Sequence, residues 1–453
     1  MTPDTERGPR FPEGFVWGVA VAAPQIEGSS FVDGKSASIW DRFAETPGRI
    51  KNGDRLDPAC DHYRRWRSDF ELLRELGIEH YRFSVAWPRV IPDGDGSIDV
   101  AALDHYSRQV DALLELGITP WVTLFHWDLP QVLEDRGGWP NRLVVDAFRR
   151  YADAVVERLG DRVKRWFTLN EIPCIVGNGY ENGYFAPGRR EPAAVVNQAY
   201  HHALLAHGHA MEAIREHAPG SLAGLVHNHL PAPPIPVCET EEQIDAARIE
   251  YARTNDQLMG PLFLGRYPDA WLERAGADAP RVEPGDLERI GRPMDFLGLN
   301  VYAGDFVRRG ADGRPERLPF PKQFPQGDLW WLNVTPQSMY WSVRLAREVY
   351  GATTFYMTES GACFADRVDE RGEILDLDRR EYVRNYLLSV HRAIDEGFDI
   401  RGYFLWSFLD NFEWAEGYEK RFGIVHVDFE TQARTPKLSA RWYSEVIRTN
   451  RLV

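Results

Sequence analysis

Arg74-Glu75-Leu76-Gly77-Ile78-Glu79-His80-Tyr81-Arg82-Phe83-Ser84-Val85-Ala86-Trp87 finds an echo 40 positions further on, in Leu114-Glu115-Leu116-Gly117-Ile118-Thr119-Pro120-Trp121-Val122-Thr123-Leu124-Phe125-His126-Trp127. Each copy runs from a helix end through a glycine into an apolar, β-rich stretch that closes on Trp. The glycine is there for a physical reason, since it takes the left-handed conformation that ends a helix without the penalty a Cβ would bring. A looser third copy spans Glu396-Gly397 to Trp406.

Working outward, strand-like runs fall at Phe15–Ala22, Tyr81–Trp87, Trp121–Trp127, Trp166–Asn170, Ala223–His227, Phe296–Tyr302, Thr354–Thr358 and Gly402–Phe408, with helical periodicity between them, as in Asp61–Leu76 and Leu143–Leu159. Alternating strands and helices imply a parallel α/β sheet, and eight units imply closure into a (β/α)8 TIM barrel. An open doubly wound sheet is the competing arrangement, which a single period-40 echo does not exclude. Two stretches exceed what a βα connection needs: 28–59, rich in Gly, Ser and Asp, and 303–335, rich in Gly, Pro and Arg. Long loops in a compact domain tend to be functional, so extended βα loops are expected to form an active-site mouth. No linker divides the chain, and residues 1–453 read as one barrel domain.

The composition excludes several classes of function. Asp and Glu outnumber Lys and Arg by 68 to 53, and without a basic run this argues against holding nucleic acid phosphates. No segment approaches the roughly 18 apolar residues of a transmembrane helix, so no membrane partner is expected. Met1–Arg10 is polar and lacks the apolar core of a signal peptide, and Cys60, Cys174, Cys238 and Cys363 fit neither a disulfide framework nor a metal knuckle. Reduced thiols in a cytoplasmic protein are the expectation.

In such a barrel the chemistry sits where strands end. Gln25, Glu27, Arg82, His126, Trp127, Asn170, Glu171, Asn300, Tyr302, Glu359, Trp406, Glu413 and Trp414 all fall at such ends. Glu171 and Glu359 are carboxylates from different parts of the ring. Paired carboxylates beside a polar, aromatic pocket suit glycoside hydrolysis, one protonating the departing oxygen and the other meeting the charge at the anomeric carbon. Aromatic faces stack on sugar rings, while Gln, His, Asn and Glu bind hydroxyls. The alternative is that both glutamates merely face helix N-terminal dipoles. From the residues alone both readings stand.

At these residues the sequence resembles glycoside hydrolase family 1, the β-glucosidase family. The segments that carry the resemblance are Gln25-Ile26-Glu27-Gly28, Tyr81-Arg82-Phe83-Ser84, Thr123-Leu124-Phe125-His126-Trp127-Asp128-Leu129-Pro130, Thr168-Leu169-Asn170-Glu171, Thr358-Glu359 and Trp406 to Trp414, in the right order over nearly the whole chain. The resemblance implies a (β/α)8 barrel and a retaining double displacement through a covalent glycosyl-enzyme intermediate. It implies Glu171 as general acid/base and Glu359 as nucleophile, supported by Arg82, Asn170, Asn300 and Tyr302. Gln25, His126, Trp127, Glu413, Trp414 and Phe422 would clamp the sugar, with Trp406 as the stacking floor. Members acting on 6-phosphorylated sugars typically carry Ser where Glu413 stands, with a Lys and a Tyr downstream. Here Lys420 is present but Glu413 and Phe422 replace the other two, and a carboxylate would repel phosphate, so a plain sugar is expected.

The chain departs from the family pattern at Pro24, Ile172, Val301 and Ser360, and the loop at Trp330 and Trp331 aligns to the family's aglycone-site Trp with a one-residue ambiguity. Pro24, Ile172, Trp330 and Trp331 are assigned to the aglycone region, with chemistry retained and leaving-group preference altered. The leading function is hydrolysis of terminal, non-reducing β-D-glucosyl residues, extending to β-galactosyl and β-fucosyl residues. The alternatives are a transglycosidase or a specialised deglycosylating enzyme for a natural-product glycoside, and then a catalytically silent sugar binder. The expected partner is a small-molecule β-glycoside or oligosaccharide, and a homo-oligomer is compatible with the sequence. No cofactor and no metal are expected. His201, His202, His207 and His209 lack the i, i+4 spacing a helix uses to chelate. Cys363 reads as a buried thiol, Asp366–Arg380 as a solvated loop and helix start, and the Asn333-Val334-Thr335 sequon as coincidental.

Overall fold

The computed structural model describes residues 8–453, so most of the polar start Met1–Arg10 lies outside the described residues. Eight parallel strands close a barrel in chain order. They are β1 Val16–Ala20, β2 His80–Ser84, β3 Thr119–Phe125, β4 Arg165–Asn170, β5 Leu222–Asn228, β6 Phe296–Asn300, β7 Thr354–Ser360 and β8 Asp399–Trp406. The ring is completed by β1 pairing with β8, Val16 opposite Gly402 and Ala20 opposite Trp406. Each of the eight predicted runs is one of these strands, and the open sheet is excluded.

One long helix follows each strand: α1 His62–Glu75, α2 Val100–Glu115, α3 Leu143–Leu159, α4 Ala193–His217, α5 Glu241–Met259, α6 Gln337–Tyr350, α7 Leu377–Asp395 and α8 Leu438–Thr449. The period-40 echo is two consecutive turns of this pattern. Gly77 and Gly117 sit just past α1 and α2 with φ of 68° and 74°, the left-handed stop expected of them.

The lower barrel is filled by aromatic rings. Trp121 lies 5.0 Å from both Tyr356 and Phe404, and Phe296 lies 5.0 Å from Tyr356 and 5.5 Å from Phe167. Residues alternate faces along a strand, so the parity of these rings predicts which later residues point inward. Two strands break that parity near the top. The β4–β5 register shifts between Phe167 and Asn170, and the β6–β7 register shifts between Met357 and Glu359. Each irregularity turns a polar residue inward where strict alternation from Phe167 or Tyr356 would send it outward.

The long loops carry structure of their own. A short helix, Ile39–Glu45, is fixed in 28–59 by a Ser38/Asp41 capping box. In 303–335, strands Asp305–Arg309 and Pro315–Arg317 join Pro234–Pro236 in a small sheet. The stretch Asp366–Arg380 corrects its sequence reading, because Asp366, Asp376 and Arg379 have buried side chains in an ion network. Lys437, fully buried, donates to Asp366 and to Asp410 at 2.7 Å, and Arg379 donates to Asp366 at 2.9 Å. The network joins the segments after β7 and β8 to the start of α8. The mixed charges that suggested solvation instead satisfy one another. Lys437→Met strips Asp366 and Asp410 of a shared cation, and removing one partner of a buried pair costs about 3–5 kcal/mol. The expected result is a clearly lower unfolding midpoint in guanidinium chloride; an unchanged midpoint would refute the network's structural role.

Candidate active site

Arg82, from β2, stands on the aromatic plug with its guanidinium carbon 4.9 Å from the centre of the Phe167 ring. Its donors serve four acceptors. Nη1 donates to Glu359 Oε1 at 2.6 Å and to the Thr358 carbonyl at 2.9 Å, Nη2 to Asn170 Oδ1 at 2.6 Å, and Nε to Thr123 Oγ1 at 3.2 Å. Tyr302 Oη donates to the other Glu359 oxygen at 2.8 Å. The Tyr302 carbonyl is itself gripped by the hydroxyls of Tyr382 and Tyr386.

The same bonds fix the polarity of the neighbours. Asn170 Oδ1 accepts from Arg82, so its Nδ2 faces His126 Nε2 and donates at 3.2 Å. His126 is therefore bare at Nε2 and carries its proton on Nδ1, a buried donor with no protein partner. Burial, and then the charge of Arg82, hold this imidazole neutral. On the other side Thr358 Oγ1 donates to Asn300 Oδ1 at 2.7 Å, which turns the Asn300 amide nitrogen to Glu171 Oε1 at 2.7 Å.

Glu171 and Glu359 are both buried, and their environments differ in sign. Burial pushes both carboxyls up. At Glu359 the Arg82 charge and the Tyr302 hydroxyl oppose that rise. At Glu171 no cation among the described residues touches the carboxyl, and the charge of Glu359 adds to the effect of burial. Glu359 is thus the group that ionises first, and Glu171 the one that keeps its proton. An acid and an anion at one mouth can protonate a leaving group and meet an electron-poor carbon.

The cavity above them measures about 540 Å³. His126, Trp127, Glu171, Asn300, Tyr302, Glu359, Trp406, Glu413, Trp414 and Phe422 border it, as do Trp330 and Trp331. His126 lies nearly parallel to Trp406 and Trp414, with ring centres 5.8 and 6.0 Å away. Glu413 Oε2 is buried without a partner, and burial followed by the Glu359 charge lifts this carboxyl to about 8. Gln25 stands behind it, its amide nitrogen on the Phe412 carbonyl at 2.9 Å and its Oε1 unsatisfied. Unpaired acceptors and a donor around stacked tryptophans form a socket for a ligand rich in hydroxyls.

Arg82, Asn170 and Gln25 do not border the cavity but hold residues that do. Trp127 both borders it and braces Asn170, since its indole N–H donates to the Asn170 carbonyl at 2.9 Å. The aglycone assignment divides. Trp331 and Trp330, the latter 77% exposed, line the rim, whereas Pro24 and Ile172 are buried in the protein and do not. Val301 and Ser360 are buried as well. None of the four departures borders the catalytic cavity, so Pro24, Ile172, Val301 and Ser360 can reach a leaving group only through the residues that do. Sequence reasoning missed Thr123 and Thr358, which lie inside its own motifs but owe their roles to cross-strand neighbours. It also missed Cys174, Asn178, Tyr184, Phe185 and Asn228 on the cavity wall. The helical histidines disperse, His201 to Asp286, His202 to the Trp139 carbonyl, and His207 to Thr168.

A parallel barrel with two unequal buried carboxyls at the C-terminal ends of its strands, under a tryptophan-lined socket, has the constellation of a glycoside hydrolase. The chain belongs to glycosyl hydrolase family 1, whose sequence profile matches residues 8–452. It is similar to beta-glucosidase A of Thermotoga maritima, 44% identical over 447 residues, covering 98% of this chain and 99% of that one. The 1,4-beta-D-glucan glucohydrolase of Thermotoga neapolitana is similar to the same degree. A solved structure of the Thermotoga maritima beta-glucosidase with glucoimidazole superposes with a TM-score of 0.91 at 43% identity, covering 98% of this chain and all of that one.

Arg82→Met removes the only cation bonded to Glu359 among the described residues and leaves that carboxyl buried. The expected outcome is protonation near neutral pH, read as an added protonated-carboxyl band in the infrared difference spectrum against wild type. No added band would mean that Arg82 is not what keeps Glu359 ionised.

Proposed function

We propose that this chain hydrolyses terminal, non-reducing β-D-glucosyl residues with retention of configuration. The observation that carries the reading is the inequality of the two carboxyls. Glu359, held by Arg82 and Tyr302 with an oxygen aimed at the socket, acts as nucleophile and forms the glycosyl-enzyme bond. Glu171 gives its proton to the departing oxygen in the first step. Once Glu359 is esterified its charge is gone, the repulsion that lifted Glu171 falls, and Glu171 accepts a proton from the incoming water. His126 and Glu413 bind sugar hydroxyls, with Asn170 and Gln25 positioning them from behind, and Trp406 and Trp414 stack on the ring. The glucoimidazole complex of the Thermotoga maritima enzyme supports a glucose-shaped socket, and the same enzyme's complex with galacto-hydroximolactam supports extension to β-galactosides.

Lys420 donates to Asp328 at 2.9 Å and also pairs with Glu419, so it is already neutralised, and Phe422 offers a phosphate nothing. This supports an unphosphorylated sugar. Among the described residues no helix is long and apolar enough to cross a membrane. All four cysteines are free thiols, which supports a cytoplasmic enzyme.

Release of 4-nitrophenol from its β-D-glucoside tests the reading, with the 6-phosphoglucoside as comparison and Glu359→Gln as control. Activity on the plain glucoside alone, abolished in the variant, with β-glucose as the first anomer seen by NMR, is the expected result. First appearance of the α-anomer would overturn the mechanism, and silence from folded protein would overturn the function.

The pH profile should be a bell. Activity is lost as pH falls through the Glu359 pKa, because the nucleophile is then neutral, and as pH rises through the raised pKa of Glu171, because the acid has then lost its proton. Tyr302→Phe takes a donor from the Glu359 carboxylate, so its pKa rises and the acidic limb moves to higher pH. The accompanying loss in kcat/KM is about tenfold or more, the size of one hydrogen bond to a charged group. An acidic limb that stays in place would separate Tyr302 from the ionisation of Glu359.

A further inference from the structure

A second cavity, about 310 Å³, lies outside the barrel between β5, the start of α4, the end of α5 and the wide-turn helical segment Pro173–Glu181. Apart from Leu230 it shares no lining residue with the catalytic cavity. The two are separated by Pro173–Glu181, the segment that begins two residues past Glu171. Cys174 and Asn178 face the catalytic side, while Pro173 and Glu181 face the other.

The inner wall of this second cavity holds an unmet polar demand. His227, 1% exposed, borders it from β5. The Asn255 amide nitrogen donates to the Tyr251 carbonyl at 2.9 Å, which points Asn255 Oδ1 at His227 Nε2, 2.8 Å away. The proton of the neutral ring therefore sits on Nε2, and Nδ1 is a bare acceptor with no partner. Gln257 is oriented the same way: its amide nitrogen donates to Asn197 at 2.9 Å, leaving its oxygen as a second free acceptor. Glu181 adds a carboxylate at the exposed mouth, and Tyr200 a phenol. Val196, Leu230 and Leu258 supply an apolar flank.

Acceptors at several depths against an apolar wall require a ligand that carries several donors and a hydrocarbon face. An anion is repelled by Glu181. A cation would meet only neutral groups at the deep end, where an unpaired charge is costly, and the second carboxylate of the lining, Glu191, is already engaged by Arg189. We propose that this cavity is a binding site for a small neutral polyol or monosaccharide, seated with a hydroxyl on His227 Nδ1, behind the segment that follows Glu171.

The test uses saturation transfer from the full-length protein to D-xylose, measured by NMR with the catalytic cavity filled by excess glucoimidazole. Failure of glucoimidazole to inhibit would count against the catalytic reading and leave this proposal standing to be tested with the cavity open. The expected result is transfer that persists with the inhibitor bound. His227→Leu removes the bare Nδ1 acceptor, along with the internal bond to Asn255, and loss of the one bond to the ligand should weaken xylose binding about tenfold. Ala193→Trp, at an exposed lining position where folding is not at risk, should abolish it by closing the mouth. Absence of transfer in wild type would mean that the cavity holds only water. Transfer unchanged in both variants would place the sugar elsewhere, and displacement of xylose by ethanolammonium would overturn the ligand class.

Discussion

The site hangs on one buried cation. Arg82 sits on an aromatic plug and is bonded to the Glu359 carboxylate, an asparagine, a threonine and a backbone carbonyl. From it the polarity of the surroundings follows bond by bond, through Asn170 to the buried, unpartnered proton of His126. A buried ion pair is a poor way to gain stability, since desolvation costs several kcal/mol per ion and a well-packed apolar pair often does as well. Its presence at the centre of this barrel is therefore better accounted for by chemistry, because it keeps one carboxyl charged where burial would neutralise it.

That charge then does a second thing. It raises the neighbouring Glu171, and it contributes to raising Glu413. Of three carboxyls around one cavity, the one beside the fixed cation, Glu359, is set apart from two that burial and the Glu359 charge push up to about 8. Local strain accompanies the arrangement. Trp127, Glu171 and Trp414 hold φ of 78°, 53° and 47°, a region that costs side-chain-bearing residues roughly 1–2 kcal/mol each. Packing offsets this, since Trp127 and Trp414 lie 4.4 Å apart and Trp40 lies 4.5 Å from Trp414. At these three positions a side chain leaves its strand or loop and turns into the mouth.

The rigid side of the molecule is built from the same logic of mutual satisfaction. Lys437, Arg379, Asp366, Asp376 and Asp410 are buried together and anchor the loop that carries Glu413 and Trp414 to the last helix. Their sequence signature, an alternation of charges, is the one expected of a solvated surface. Only the partners, which come from separate segments, reveal that the charges are paired in the interior.

The sequence by itself determined eight alternating strand and helix units, because hydrophobic period, helix-ending glycines and strand spacing are local properties written in consecutive residues, whereas closure of the sheet, which rests on β1 pairing with β8, was decided by the tertiary structure. The sequence also marked Glu171, Glu359 and most of the socket residues as candidates, since strand ends in a parallel barrel converge by topology, while the residues alone left the role of the two glutamates open. It did not determine which polar residues turn inward past a register shift, why Thr123 and Thr358 matter, or that Pro24, Ile172, Val301 and Ser360 are buried away from the cavity. Nor could it reveal the acceptor left bare on His227. Those facts depend on cross-strand neighbours, hydrogen-bond direction and burial, which join residues distant along the chain and exist only once the barrel has closed.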